Sequence, residues 1–192
     1  TSDNGFAPYV KIPKMIKAGY RPSGSWRGAK ATIYEGGHRV PFIVKWPGKI
    51  KQGSVSNEVV SQVDLAATFA KITGHRLGKK EAIDSYDLLP VFKGDKYDKP
   101  LRVATVQNTS PKKFALRQGD WVLINAPTGA AKRESSAYLK HFGLKAYGKG
   151  HEGLLFNLKE DPRQSNNLYA KHPERVKKLG ELLQSYLDGR PC

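Results

Sequence analysis

Short apolar runs separated by turn residues dominate the second half of the chain. Such runs, rich in β-branched and aromatic residues, predict strands, and they cover residues 101–106, 113–117, 121–125 and 154–158. The tripeptide Gln118-Gly119-Asp120 between the middle pair is a typical turn sequence. The pattern therefore predicts a small antiparallel four-stranded sheet.

The C-terminal segment has the spacing of an amphipathic helix. Pro173 suits the first turn of a helix, because the N–H that proline lacks would have no partner there. Apolar side chains then recur at helical spacing: Val176, Leu179, Leu182, Leu183, Tyr186 and Leu187. We predict that this face packs on the sheet.

The first half of the chain follows another pattern. Residues 6–30 show no sustained periodicity, which predicts a long loop. Residues 39–46 are rich in β-branched and aromatic side chains and end at Pro47-Gly48, which predicts a buried strand. Asp64 suits the N-cap of a helix that ends at Gly74. One side of that helix is predicted to be apolar: Leu65, Phe69 and Ile72.

Together these elements predict the fold class α/β. The strand, loop and helix of residues 1–100 indicate the end of a mixed α/β sheet domain, and residues 101–192 are predicted to form a separate antiparallel-sheet subdomain. Residues 126–152 interrupt the predicted strands without a clear element of their own. Their two histidines, His141 and His151, have no metal-ligand spacing, so we interpret them as exposed to solvent.

Composition and charge limit the kinds of partner. The chain of 192 residues is 39% apolar, which is enough to bury a core. It carries 33 Lys and Arg against 17 Asp and Glu, and this formal net charge of +16 attracts polyanions. The sequence has no nucleic-acid-binding motif and no apolar stretch of the roughly 18 residues that cross a bilayer. We therefore predict neither a nucleic-acid nor a membrane partner, whereas a sulfated polysaccharide fits the charge.

Candidate metal ligands lie in the segment Ser2-Asp3-Asn4-Gly5. Asp3 offers a carboxylate and Asn4 an amide oxygen, the ligand types that Ca²⁺ and Mg²⁺ prefer, and Gly5 allows a sharp backbone turn. The same residue types also favour ordinary turns. From these residues alone, half of a metal site and a plain turn both remain open.

Further motifs resemble those of the formylglycine-dependent sulfatases, an arylsulfatase-like family of the alkaline phosphatase superfamily. A Gly-x-Lys, a Glu-Gly-Gly, an Arg-x-Pro and a Trp-Pro-Gly follow the metal segment in that order, at residues 28–30, 35–37, 39–41 and 46–48. Similar landmarks continue at residues 64–68, 84–90, 114–121 and 155–158, with Asp161-Pro162 and Asn167-Leu168 after them. The resemblance covers the whole chain but only the C-terminal part of the family pattern.

Roles for individual residues are implied by this resemblance. Asp3 and Asn4 would ligate Ca²⁺, or Mg²⁺ as in some relatives, and Lys30 would be the catalytic cation that binds the sulfate group. Candidate contacts with the sugar or aryl group are Trp26, Arg27 and Asn108.

The Glu-Gly-Gly segment is interpreted as architectural. We expect Glu35 to pair with Arg27 or Arg39 beneath Lys30. The resemblance assigns no catalytic role to the neighbouring His38.

The nucleophile of the family is absent from this sequence. Sulfatases carry a Cys-x-Pro-x-Arg or Ser-x-Pro-x-Arg segment whose first residue becomes formylglycine, whereas the only cysteine here, Cys192, is the last residue and is interpreted as an exposed, unpaired thiol. We therefore expect the C-terminal part of a sulfatase, inactive by itself, that requires an N-terminal sulfatase segment carrying the formylglycine. The resemblance implies secretion, a periplasm or, in a eukaryote, the lysosome.

Three hypotheses of function follow. The first is hydrolysis of sulfate esters, on a sulfated carbohydrate or an aryl sulfate. The second is a non-catalytic basic module that binds sulfated polysaccharide or another polyanion. The third is a metal-dependent phosphatase or phosphodiesterase of the same superfamily, against which the motifs of residues 30–46 argue.

Overall fold

The computed structural model describes residues 1–95, 98–131 and 134–189. The thiol of Cys192 lies outside these residues. The helices are α1 Ile12–Lys17, α2 Glu35–His38, α3 Asp64–Thr73, α4 Leu89–Lys93, α5 Ser136–Phe142 and α6 Pro173–Leu187. The strands are β1 Thr105–Ser110, β2 Lys113–Gln118, β3 Trp121–Ile124 and β4 Leu154–Asn157, and a 3₁₀ turn covers Tyr169–Lys171. No helix in the described part of the chain is long and apolar enough to cross a membrane.

The four strands form one sheet in the order β1-β2-β3-β4. Strand β3 pairs antiparallel with both β2 and β4, so that Ile124 lies opposite Ala115 on one side and Leu154 on the other. Helix α6 packs on β2 and β3 and buries Leu179 and Leu183. The predicted α/β fold with a C-terminal antiparallel sheet and helix is confirmed.

Both faces of this sheet are covered, which explains why its strands are apolar on both sides. On one face, Val122, Ile124 and Phe156 pack with Ile33 and Tyr34 of the N-terminal segment. Because side chains alternate along a strand, the intervening residues point to the other face, where α6 packs. Burying a large apolar side chain contributes about 1.5–3 kcal/mol, so this core holds the N-terminal segment on the sheet.

The chain folds as two compact units. The first comprises residues 1–42 and 106–192, and the second comprises residues 43–105. In the first unit the two ends of the chain share one core. The predicted boundary between two domains near residue 100 remains a prediction. The two compact units divide the chain at different positions, after residues 42 and 105.

The side chain of Arg27 lies in the core of the first unit and is only 1% exposed. Its Nε and Nη2 donate to the two carboxylate oxygens of Glu134 at 2.9 and 2.5 Å. Nη1 donates to the carbonyl of Gln164 at 2.9 Å, and Nη2 also donates to that of Lys145 at 2.8 Å. Because a bidentate arginine–carboxylate pair combines charge with fixed geometry, Arg27 ties together segments that are far apart in the sequence.

Two tyrosine rings enclose the same guanidinium. Its central carbon lies 4.4 Å from the ring centre of Tyr34 and 4.7 Å from that of Tyr147, and such cation–π contacts are strongest where water is excluded. Burial raises the pKa of Tyr147 to about 12 and also raises the pKa of Tyr34, although the charge of Arg27 opposes both shifts. Both phenols are therefore neutral at physiological pH.

In the second unit, the buried carboxylate of Asp64 organises the start of α3. It accepts hydrogen bonds from the backbone N–H groups of Ser61 and Tyr86, at 2.7 and 3.0 Å, and pairs with Arg102. The helix stops, as predicted, where Gly74 adopts a left-handed conformation. A buried ion pair thus holds this helix start in place.

Other details of α3 differ from the prediction. Val63 occupies the cap position, and Asp64 is the first helical residue. Phe69 and Ile72 of the predicted apolar side are exposed, and the buried residues of the helix are Asp64, Thr68 and Ala70. Leu65, the third residue of that side, is half-buried.

Residues 39–46 do not form the predicted buried strand, and Ile43 in this segment is 84% exposed. A strand needs a neighbour for its backbone N–H and C=O groups, and within the described residues no strand lies along this segment. The first predicted strand, 101–106, is displaced as well, because β1 begins only at Thr105. Both segments are apolar enough to form strands, but a segment becomes a strand only where a neighbouring strand pairs with it.

Two short helices occupy segments that were predicted to be irregular. Helix α1 lies within residues 6–30, and α5 lies within residues 126–152, where the Ser135 side chain caps its first turn. Helices of this length are unstable alone. Here Ile12 of α1 packs with Tyr138 of α5, so each helix depends on the other.

We predict that Glu134→Gln lowers the free energy of unfolding by about 3–5 kcal/mol, because removing one charge of a buried pair leaves the other uncompensated. Urea denaturation of the chain followed by circular dichroism measures the change. The matched control is Glu160→Gln, at an exposed position, for which we expect a change within about 0.5 kcal/mol. An effect of Glu134→Gln no larger than that of the control would contradict the prediction.

Candidate functional site

Main-chain hydrogen bonds join the segment that carries Asp3 and Asn4 to the loop that carries Lys30. The N–H of Gly5 donates to the carbonyl of Gly37 at 2.9 Å, and the N–H of Lys30 donates to the carbonyl of Phe6 at 2.9 Å. The candidate metal segment and the candidate catalytic lysine therefore belong to one backbone assembly.

Glycines allow these segments to approach closely. A Cβ on Gly5 would lie 2.0 Å from the carbonyl oxygen of Gly36, and a Cβ on Gly36 would lie 2.7 Å from that of Gly28. A Cβ on Gly37 would lie 2.1 Å from the carbonyl oxygen of Thr32. Since no real Cβ tolerates such distances, only glycine fits at these three positions.

Asp3 and Asn4 lie side by side at the surface end of this assembly. The amide Nδ2 of Asn4 donates to Oδ1 of Asp3 at 2.9 Å, and the Ser2 hydroxyl lies 3.4 Å from the same oxygen. Among the described residues, no group of three or more His, Cys, Asp or Glu side chains could hold a metal ion. The pair accordingly offers hard oxygen atoms but only part of a coordination shell.

Lys30 presents an exposed side chain on a fixed backbone. It follows the buried Ala29 and precedes Ala31, whose φ of 67° is unusual for a residue with a side chain. Lys30 lines a cavity of about 210 Å³ together with Tyr138 and Thr32. Its ammonium is thus available to a ligand, while its backbone is held by the bond to Phe6.

The buried carboxylate of Glu35 lies beneath this backbone assembly. It accepts hydrogen bonds from Arg39 at 3.2 Å and from Arg117 at 3.1 Å. Of the two predicted partners of Glu35, Arg39 is the one observed, whereas Arg27 pairs with Glu134. Two arginines therefore neutralise one buried carboxylate.

His38 follows Glu35 on α2 and keeps 26% of its side chain exposed. Its Nε2 lies 3.9 Å from Oε1 of Glu35 without a hydrogen-bond partner among the described residues. Burial lowers the pKa of His38; the charge of Glu35 opposes this shift, and Arg117 and Arg39 reinforce it. His38 is therefore neutral at pH 7, and its position suits the architectural interpretation.

The three candidate substrate contacts lie in different surroundings. The guanidinium of Arg27 is buried and bonded to Glu134 and two carbonyls, which argues against contact with a substrate. Trp26 is half-buried, with the guanidinium of Arg39 3.9 Å from its ring centre. Asn108 is exposed on β1, where its amide donates to carbonyls of the turn into β2, at 2.9 and 3.0 Å. No described hydrogen bond or ion pair joins these three side chains to Lys30.

Sequence reasoning missed Gln164, which supports the Glu-Gly-Gly turn from below. Its side-chain oxygen accepts a hydrogen bond from the N–H of Glu35 at 2.8 Å, and it is fully buried with a φ of 49°. The tail motif beginning at Asp161 marks this region in the sequence, but a polar residue gives no signal of burial.

Tyr138 of α5 was missed for a similar reason. Its hydroxyl accepts a hydrogen bond from the N–H of Gly28 at 2.9 Å and donates to the carbonyl of Trp26 at 3.3 Å. The composition of residues 126–152 indicates an irregular segment, so nothing in the sequence pointed to this contact.

Comparison with known proteins found a family model and individual proteins to which this chain is similar. The chain matches, over residues 26–106, a family model described as N-sulphoglucosamine sulphohydrolase, C-terminal. It is 32% identical over 190 residues to an N-acetylgalactosamine-6-O-sulfatase of Bacteroides thetaiotaomicron, covering 96% of this chain and 35% of that protein. It is 30% identical over 198 residues to human arylsulfatase A, covering 98% of this chain and 37% of that protein. The chain thus spans little more than a third of the length of these relatives.

Solved structures are also similar to this chain. One, from work on the metabolism of multiple glycosaminoglycans by Bacteroides thetaiotaomicron, has a TM-score of 0.78 at 32% identity and covers 96% of this chain and 37% of its own. Another, in complex with its substrate D-glucosamine-2-N,6-O-disulfate, has a TM-score of 0.54 at 23% identity and covers 76% and 27% of the two chains. At that identity the second likeness concerns the fold alone.

We predict that Gly37→Ala destabilises the chain by about 1–3 kcal/mol, because its Cβ would overlap main-chain oxygen atoms that cannot move independently. Thermal and urea unfolding measure the effect. The matched control is Gly180→Ala in α6, where nothing lies within 4 Å of the added Cβ. Alanine there should stabilise the helix by up to about 1 kcal/mol. Equal stability of the two variants would show that the close approach is not required.

Proposed function

Because this chain belongs to the sulfatase family, we propose that it forms part of the active site of an enzyme that hydrolyses sulfate esters of carbohydrates. The observation that carries the proposal is the backbone assembly that joins the Asp3-Asn4 segment to the Lys30 loop, through the bond from the Lys30 N–H to the carbonyl of Phe6. The 32% identity to an N-acetylgalactosamine-6-O-sulfatase supports a sugar sulfate over an aryl sulfate as the substrate.

Lys30 is proposed to bind the sulfate group and to stabilise charge during its transfer. Hydrolysis of a sulfate ester places negative charge on the leaving oxygen, and a positive charge fixed in advance stabilises that charge without reorganisation. The bond from the Lys30 N–H to the Phe6 carbonyl fixes the base of the side chain. Its exposed ammonium can then reach a ligand in front of the assembly.

Asp3 and Asn4 are proposed as two ligands of a Ca²⁺ or Mg²⁺ ion. The residue types fit such an ion, since the Asp3 carboxylate is exposed and the neighbouring Asn4 carboxamide carries an oxygen atom, although it is Nδ2 of Asn4 that faces the carboxylate in this structure. Both cations take six or more oxygen ligands, so other ligands must come from beyond these two residues. When bound, the ion would supply positive charge to the sulfate oxygens.

The nucleophile is proposed to come from sequence outside this chain. No Cys-x-Pro-x-Arg or Ser-x-Pro-x-Arg segment, from which formylglycine would arise, occurs in the 192 residues. What this chain's residues contribute is binding and orientation of the sulfate group, and we propose that it is inactive without the segment that carries the nucleophile.

A second candidate function rests on charge. The formal net charge of +16 favours binding of a sulfated polysaccharide with no chemistry. Such binding would weaken steeply with salt and would not require a divalent cation. Family membership favours sulfatase activity over this alternative and over a phosphatase or phosphodiesterase.

We predict that Lys30→Ala lowers kcat for a sulfated N-acetylhexosamine roughly a hundred- to a thousandfold in the complete natural protein, because a preorganised positive charge is lost. Release of inorganic sulfate measures the rate. The control is Lys49→Ala, an exposed lysine of the second unit, which should keep the wild-type rate. Equal rates for the two variants would remove Lys30 from the site.

We predict that Asp3→Ala weakens Ca²⁺ binding roughly tenfold or more, because the number of charged ligands sets the affinity of such sites. Isothermal titration of the metal-free complete protein with CaCl₂ measures the change independently of activity. Asp95→Ala, at another exposed aspartate, serves as the control. Unchanged affinity in Asp3→Ala would favour the plain-turn interpretation of residues 2–5.

A further inference from the structure

Arg39 is held by two contacts that fix the position of its guanidinium. Its Nη1 donates to Oε2 of the buried Glu35 at 3.2 Å, and its central carbon lies 3.9 Å from the ring centre of Trp26. The side chain nevertheless remains 42% exposed. An arginine that is both oriented and exposed is ready to bind a ligand with little further loss of side-chain entropy.

The neutralisation of Glu35 alone does not account for Arg39. Arg117 already lies 3.1 Å from the same carboxylate oxygen and is less exposed, at 18% against 42% for the Arg39 side chain. A guanidinium has five donor hydrogens, and the described hydrogen bonds of Arg39 engage only Nη1. The remaining donors can form the planar fork that suits a sulfate or carboxylate group.

Arg39 also lines a cleft next to the candidate metal segment. The cleft has a volume of about 330 Å³, and its lining includes Asn4, Gly5, Gly36, Arg39 and Pro41. Small-molecule sites have volumes of roughly 300–1,000 Å³, so the cleft suits one sugar ring with its substituents. A ligand here would meet Asn4 and Arg39 together.

We propose that Arg39 is a specificity-determining residue that binds a second anionic group, a sulfate or a carboxylate, on the sugar whose sulfate ester is hydrolysed. Glu35 and Trp26 are positioning residues, because each contacts the guanidinium and neither needs to touch the sugar. This inference rests on the proposed function, since it assigns a substrate class to the same site: sugars that carry two anionic groups.

The test compares three sulfated sugars as substrates of the complete natural protein: a monosulfated sugar with no second charged group, a disulfated sugar and a monosulfated uronic acid. We expect Arg39→Gln to lower the preference for the doubly anionic sugars over the singly anionic one, measured as a ratio of kcat/KM, by roughly ten- to a hundredfold, which corresponds to the loss of a charged hydrogen bond. The loss should lie in KM. The disulfated sugar and the uronic acid distinguish a sulfate from a carboxylate as the second group.

Two further variants separate recognition from folding. Arg39→Lys keeps the charge beside Glu35 but lacks the planar fork, so it should recover part of the preference. Arg76→Gln, at an exposed arginine of the second unit, should keep the wild-type preference. Thermal unfolding of each variant checks that Arg39→Gln is folded. An unchanged preference in folded Arg39→Gln overturns the inference.

Calorimetric binding of the disulfated sugar and of the uronic acid distinguishes this inference from the proposed function. If the wild-type protein hydrolyses none of the sugars but binds a doubly anionic one, with a Kd at least about tenfold higher in Arg39→Gln, sulfatase function fails and the role of Arg39 in binding stands. If it hydrolyses them while neither Kd nor the kcat/KM preference depends on Arg39, the sulfatase function stands and the inference fails.

Discussion

The buried guanidinium of Arg27 is the interaction on which the first unit depends. Moving a charge out of water costs several kcal/mol, and only a well-placed partner offsets this. Burial alone would lower the pKa of Arg27, but the hydrogen bond and charge of Glu134, together with the electrostatic contributions of Tyr34 and Tyr147, outweigh it, so that the pKa is raised and the arginine stays charged. With Tyr34 and Tyr147 against its faces, the guanidinium has one stable position.

The fixed position of Arg27 also restricts the backbone of the candidate site. The carbonyl of Arg27 accepts the N–H of Gly36 at 2.7 Å, and Gly36 and Gly37 in turn hold Gly5. Gln164 binds both sides of this arrangement, since its carbonyl accepts from Arg27 and its side chain accepts from the N–H of Glu35. The flexible functional side chains thus stand on a backbone that has little freedom to move.

Much of the fold could be predicted from the sequence, because the sheet follows from short apolar runs separated by turn residues and α6 follows from helical spacing, and both signals depend only on neighbouring residues. The strand at residues 39–46 could not, since pairing requires another segment. The burial of Arg27 could not be predicted either, because no local signal distinguishes it from the other basic residues among the 33 Lys and Arg. Its burial depends on the ion pair with Glu134, which is distant in the sequence. For the site, motif order indicated Asp3, Asn4 and Lys30, whereas the contacts of Gln164 and Tyr138 arise only from tertiary packing.

The composition of the first unit from both ends of the chain has a consequence for biosynthesis. Arg27 and Gln164 meet across a sequence separation of 137 residues, so the Lys30 loop cannot be locked in place until residue 164 has left the ribosome. Contacts at such separation slow folding, because a long loop must close first. The intervening residues 43–105 form their own compact unit, which can fold while the N-terminal segment waits. The same arrangement would allow that unit to change length during evolution without disturbing the residues around Lys30.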